Sequence, residues 1–286
     1  MPDIDPHLEK EYDNRGRVPE HPALIARWNH DSQAYRAETQ NNGTALFDLA
    51  YGPDPRQQLD LFGPDLTGEG TSPLLVFIHG GYWRALDRTP FSHMAQGPNA
   101  HGVSVAIPSY RLCPQVSLAE LVDDLRQSVR FLYHRFKRPM VIAGHSAGGH
   151  LTACMLGTDW PAYDKTLPAG ITPCGYAISG LFDLEVMVKT SINTELKLTP
   201  EEARCHSPAL WKIPAGLELD AVVGSLESAE YHRQSRLIAE NWQQQGAKTR
   251  WSLLEGDNHF SAIMPLADPD SDMTRRVCAL AKSALA

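Results

Sequence analysis

The 286-residue sequence predicts an α/β fold built on a mostly parallel, doubly wound sheet of about eight strands with a small cap insertion. Two observations carry this. Short apolar runs of strand length alternate with helical patterns over most of the chain, the signature of parallel strands covered by helices on both faces. One of those runs then passes straight into a serine flanked by glycines and followed by helix formers, Gly144-His145-Ser146-Ala147-Gly148. Residues 1–286 are read as a single domain, with an N-terminal arm over 1–40 and the cap over 181–215.

In chain order, residues 1–40 are polar with scattered Tyr12, Arg15, Trp28 and Tyr35, and a helix is expected near 21–38; the sequence suggests no purpose for this arm. Ala45–Ala50 and Gln57–Phe62 alternate as antiparallel strands around the turn residues Tyr51-Gly52-Pro53-Asp54-Pro55. Leu74–Ile78 and Val103–Ile107 are buried strands, with a short helix over Thr89–Ala100 between them. Ser117–Phe136 places Leu118, Leu121, Val122, Leu125, Val129 and Leu132 at helical spacing, which makes an amphipathic crossover. Pro139–Ala143 is the strand that enters the serine turn, and Ala147–Leu156 is the helix that leaves it. After a strand at Tyr176–Ile178 the rhythm breaks, and Thr199-Pro200, Ser207-Pro208 and Ile213-Pro214 mark an excursion above the sheet. Strand 217–223, helix 228–245, strand 250–254 and helix 272–286 complete the pattern.

A formal charge of −8 argues against attraction to phosphate backbones or anionic membranes, so neither nucleic acid nor membrane is expected as a partner. The acidic, proline-broken start is unlike a signal peptide, and no apolar run approaches a membrane span, which points to the cytoplasm. Five widely spaced cysteines without a C-x-x-C pair read as reduced structural thiols. With no metal cluster and no phosphate loop, no cofactor is expected; the partner is a small-molecule substrate, and a homodimer is left open as the assembly.

A serine hydroxyl becomes nucleophilic when a base takes its proton, and it must project from the backbone toward its substrate. A sharp strand-to-helix turn provides the projection, and the flanking glycines relieve its crowding. The bare G-x-S-x-G pattern arises by chance in roughly one chain in ten of this length; the strand before it and the helix after it are what single out Ser146 as the nucleophile of an α/β-hydrolase. Acyl transfer also needs donors for an oxyanion. The loop His79-Gly80-Gly81-Tyr82-Trp83 offers the Gly81 and Tyr82 amides, with Gly80 as competitor, and Ala147 supplies the donor next to the nucleophile. His79, His145 and His150 are read as loop- and core-holding histidines. In this fold the chain order is Ser, acid, His, so His259 in the loop after the last strand is the base. Glu227, three residues beyond Gly224, is the acid that fixes its tautomer, with Glu230 and Asp220 as alternatives and Asp257 disfavoured by its proximity in sequence.

His-Gly-Gly-Tyr-Trp at 79–83 resembles the H-G-G-x-W signature of the N-formylkynurenine formamidases (arylformamidases), relatives of the hormone-sensitive-lipase-like esterases. The likeness extends to Ser109–Leu112, Gly144–His150, Ser179–Leu184 and Glu227–Ser235, and so covers most of the chain from about residue 50. One departure stands out: animal members carry aspartate where this chain has Glu227. The resemblance implies a serine hydrolase that forms an acyl-enzyme and releases formate and an aryl amine from an aryl formamide. The alternatives are a carboxylesterase on small acyl esters and a noncatalytic binding protein on the same scaffold. A formamide substrate calls for a flat apolar wall on the leaving-group side, and Tyr82, Trp83 and Phe182 are its expected members.

Overall fold

The computed structural model describes residues 4–285. Eight strands form one sheet: β1 (Ala45–Ala50), β2 (Gln58–Phe62), β3 (Leu74–Ile78), β4 (Ser104–Pro108), β5 (Val141–His145), β6 (Cys174–Ile178), β7 (Glu218–Gly224) and β8 (Lys248–Leu254), in the order β1-β2-β4-β3-β5-β6-β7-β8. β2 runs antiparallel to β1 and β4, and every other pairing is parallel. This is the α/β-hydrolase sheet that the alternation of apolar runs predicts, with strand ends shifted by a few residues at most.

Strand alternation divides the core between two faces. Leu74, Val76 and Ile78 face one layer, made by α5 (Leu118–Phe136), α6 (Ala147–Leu156) and α10 (Ala229–Gln244). Leu75 and Phe77 face the other, made by α3 (His21–Asn41), α4 (Gln96–Ala100) and α11 (Asp272–Ser283). α5 starts where it does because Ser117 and Glu120 close a capping box. It stays on the sheet because Leu121, Leu125 and Leu132 are fully buried, each worth about 1.5–3 kcal/mol.

Two excursions lie at the carboxyl ends of the parallel strands, where ligands of open α/β sheets bind. Between β6 and β7 the chain makes a 3-10 turn at Glu185–Lys189, then α8 (Asn193–Leu196), α9 (Pro200–Cys205) and a second 3-10 turn at Pro208–Leu210; α7 (Trp160–Tyr163) precedes β6. The N-terminal arm supplies the second excursion. Beyond the expected helix, which extends to Asn41, it holds α1 (Pro6–Glu11), capped by Asp5, and α2 (Asn14–Arg17), capped by Asp13. The two excursions are tied together: Asp5 N–H donates to Lys189 O at 2.9 Å, and Ser191 N–H donates to Glu9 at 2.8 Å. Among the described residues no helix is long and apolar enough to cross a membrane.

Candidate active site

β5 ends at His145 and α6 begins at Ala147, so Ser146 alone makes the turn, at φ +58° and ψ −119°. A serine in that region carries strain of about 1–3 kcal/mol, a cost that recurs where a side chain must be aimed. Its N–H is held by Ile178 O at 2.8 Å. The glycines are a spatial requirement: a Cβ on Gly148 would lie 2.0 Å from Ile78 O, and one on Gly144 would lie 2.3 Å from Gly148 O. The turn therefore packs directly on the end of β3.

The loop leaving β3 lies beside it. Gly81, Tyr82 and Trp83 take φ of +115°, +49° and +58° in succession. Among the described residues the amides of Gly80, Gly81, Tyr82 and Ala147 have no protein acceptor, and Gly80, Gly81 and Tyr82 line the same cavity as Ser146. His79 holds this loop as its place after β3 suggests. Its Nδ1 donates to Gly80 O at 2.7 Å, its ring stacks on Tyr110 at 4.3 Å, and burial pushes its pKa down to about 4.

His259 follows β8 in a turn built by Asn258, whose Oδ1 accepts from the Phe260 and Ser261 amides. Its Nδ1 donates to Glu227 Oε2 at 2.6 Å, leaving Nε2 as the acceptor. The other oxygen of Glu227 accepts Gly224 N–H at 2.8 Å and the Ser179 hydroxyl, so the carboxylate is fixed from both sides. The alternatives to Glu227 are engaged elsewhere: Asp220 with Arg250 and Arg276, Glu230 with Tyr12 and Arg233, and Asp257 with Ser261. The His259 ring lies between His145, at 4.6 Å, and Tyr231, at 4.7 Å, while His145 Nε2 donates to His259 O at 2.8 Å. Burial, followed by the neighbouring His259, keeps His145 well below the usual histidine range, and hence neutral.

Ser146 and His259 open into a cavity of about 910 Å³. Of the aromatic residues expected to form its wall, only Tyr82 reaches it. Trp83 and Phe182 are fully buried away from the cavity, and Trp83 is turned inward by the bond from its indole N–H to His150 Nδ1 at 3.2 Å. The apolar wall consists of Trp28, Phe91 and Phe260, packed together at centroid distances of 5.6 Å and 6.0 Å from Trp28. Trp28 comes from the N-terminal arm, which also contributes Tyr12, Asn14 and Arg15 to the lining, while the excursion after β6 contributes Ser191, Ile192 and Glu195. Sequence reasoning missed the arm's part, because α3 buries Trp28, Ser32, Tyr35 and Thr39, a face too polar to register as an apolar stripe.

A kynurenine formamidase of Drosophila melanogaster is 30% identical over 253 residues, spanning 84% of this chain and 83% of that protein. The chain belongs to the kynurenine formamidase family. A kynurenine formamidase of Danio rerio is 28% identical over 240 residues, spanning 80% of each chain. The BD-FAE family model matches residues 59–173. Among solved structures, a candidate thioesterase from Silicibacter sp. TM1040 superposes with a TM-score of 0.83 at 34% identity, covering 94% of this chain and 98% of its own. The Pyrobaculum calidifontis esterase, at 14% identity and a TM-score of 0.66, shares the fold alone. This member of the family is accordingly a hydrolase of the α/β-hydrolase fold.

Proposed function

We propose that the protein is a serine hydrolase using Ser146, His259 and Glu227 through an acyl-enzyme, and that its substrate is an aryl formamide such as N-formylkynurenine. The observation that carries this reading is that Ser146, His259 and the loop of residues 80–82, whose amides have no protein acceptor among the described residues, share one cavity that Trp28, Phe91 and Phe260 also line. A Cβ on Gly80 would stand 3.1 Å from Ser146 Cβ, so the loop backbone lies close against the serine. Trp28, Phe91 and Phe260 offer the departing aryl group a flat surface.

Ser146 Oγ attacks the formyl carbon as its proton passes to His259 Nε2, and Glu227 stabilises the imidazolium through Nδ1. The oxyanion is received by amides of the Gly81–Tyr82 loop and by Ala147, at the start of a helix whose dipole favours negative charge. The C–N bond breaks as His259 returns the proton to the aryl amine. Water then attacks the formyl ester with His259 as base, which restores the serine and releases formate.

The test is kcat/KM on N-formylkynurenine and on short p-nitrophenyl esters, for wild type and Ser146→Ala. We expect the formamide to be the better substrate and the variant to lose at least about 10⁴-fold on both. A negligible formamide rate beside a brisk ester rate overturns the substrate assignment, and full activity in Ser146→Ala overturns the mechanism.

A further inference from the structure

We infer that Asn14, in the N-terminal arm, is a positioning residue that holds the oxyanion loop and the wall behind His259 in register. The inference rests on the roles proposed above for Ser146, His259 and the Gly81–Tyr82 loop.

The Asn14 side chain is buried, and its Nδ2 donates to two phenols, Tyr82 Oη at 3.0 Å and Tyr231 Oη at 2.8 Å, which are themselves 2.8 Å apart. Tyr82 belongs to the loop that lines the cavity beside Ser146, and Tyr231 lies against the His259 ring. Burial, reinforced by neighbouring phenols, lifts Tyr82 well above the usual phenol range, and burial does the same for Tyr231, so each carries one proton.

That single proton fixes the direction of every bond. Tyr82 Oη lies 2.7 Å from Tyr12 O, a carbonyl that can only accept, so the Tyr82 proton is committed there. The Tyr82–Tyr231 contact must then use the Tyr231 proton. Both phenol oxygens need a donor from Asn14, which an amide NH2 supplies with its two hydrogens and an aspartate cannot. One lone pair of Tyr231 remains. The network thus joins the arm, the oxyanion loop and α10. It also holds Tyr82 at its positive φ, a conformation that persists only where the surroundings over-determine it.

If Asn14 positions the loop, its loss impairs the transition state more than ground-state binding. We would measure kcat, KM, the rate of Ser146 labelling by a fluorophosphonate and the thermal midpoint for Asn14→Ala, Tyr82→Phe and the double variant, with Ser146→Ala alongside. The expected result is a fall in kcat and labelling rate of about 10- to 100-fold in each single variant, with KM within about threefold. The double variant is expected to be no worse than the poorer single one, because both cut the same network. Tyr82→Phe keeps the ring and its packing, so it carries the test should Asn14→Ala fold poorly. Unchanged kcat and labelling in folded Asn14→Ala, or losses that multiply in the double variant, overturn the inference while leaving the serine mechanism standing. Activity surviving in Ser146→Ala overturns both.

Discussion

At the scale of single residues, the reach of one side chain decides how the site is built. Glu227 bonds His259 at 2.6 Å while its second oxygen takes a backbone amide and the Ser179 hydroxyl. Shortening it by one methylene in Glu227→Asp forces a choice between these partners. We expect kcat to fall about 10- to 100-fold, and Glu227→Ala to approach a loss of about 10⁴-fold, since the histidine then loses the partner that fixes its tautomer. Steady-state kinetics at saturating substrate will distinguish the two. Trp28 offers a test of specificity at the same scale. Trp28→Leu removes a flat face from the cavity without opening the core as far as alanine would, and KM for N-formylkynurenine should rise about tenfold, the value of roughly 1.4 kcal/mol of contact. Ethyl formate, which has no ring, should be nearly indifferent; an equal rise for both substrates would deny Trp28 this role.

At the scale of elements, the strand-to-helix turn is the most constrained part of the molecule. Gly148→Ala places a methyl 2.0 Å from Ile78 O, a backbone atom of the central strand β3 that cannot retreat cheaply. We expect about 3 kcal/mol of lost stability, read as a lower urea midpoint. This turn and the sheet around it were legible in the sequence because each buried strand is a nearly uninterrupted apolar run, and because the glycines of the elbow answer to clashes with backbone. The order Ser146, Glu227, His259 was legible for a related reason: each stands just beyond the end of a strand. The aromatic wall was not. Trp83 and Phe182 have the same composition cues as Trp28 and Phe91, and nothing in spacing tells an inward-turned indole from one that faces a cavity. The arm was illegible for a different reason, since Asn14 and Tyr12 act through hydrogen bonds to residues from 68 to 218 positions away, which leave no local periodicity.

At the scale of the whole molecule, buried neutral histidines link stability to pH. Burial pushes His79 and His93 down to about 4 and His150 down to about 3, and lowers His145 as well. Each is depressed below its unfolded value of about 6.5, so between that value and its folded pKa the unfolded chain binds more protons. Stability from these groups is therefore intact above about pH 6.5 and falls as pH drops toward 4, by up to about 1.4 kcal/mol per unit per histidine. Urea unfolding followed from pH 7.5 to 4.5 should show the midpoint falling mainly below 6.5; a flat profile would contradict the burial of these rings. The clasp of the arm also has a consequence for how the protein comes into being. Tyr12 meets Glu230 across 218 residues and Asn14 meets Tyr231 across 217, so these contacts cannot form until most of the chain has been made, and they close long loops. A nascent chain displays the serine turn long before the roof above it exists. Competence to hydrolyse is therefore among the last properties acquired, and in refolding experiments activity should return after the helical circular dichroism signal has recovered.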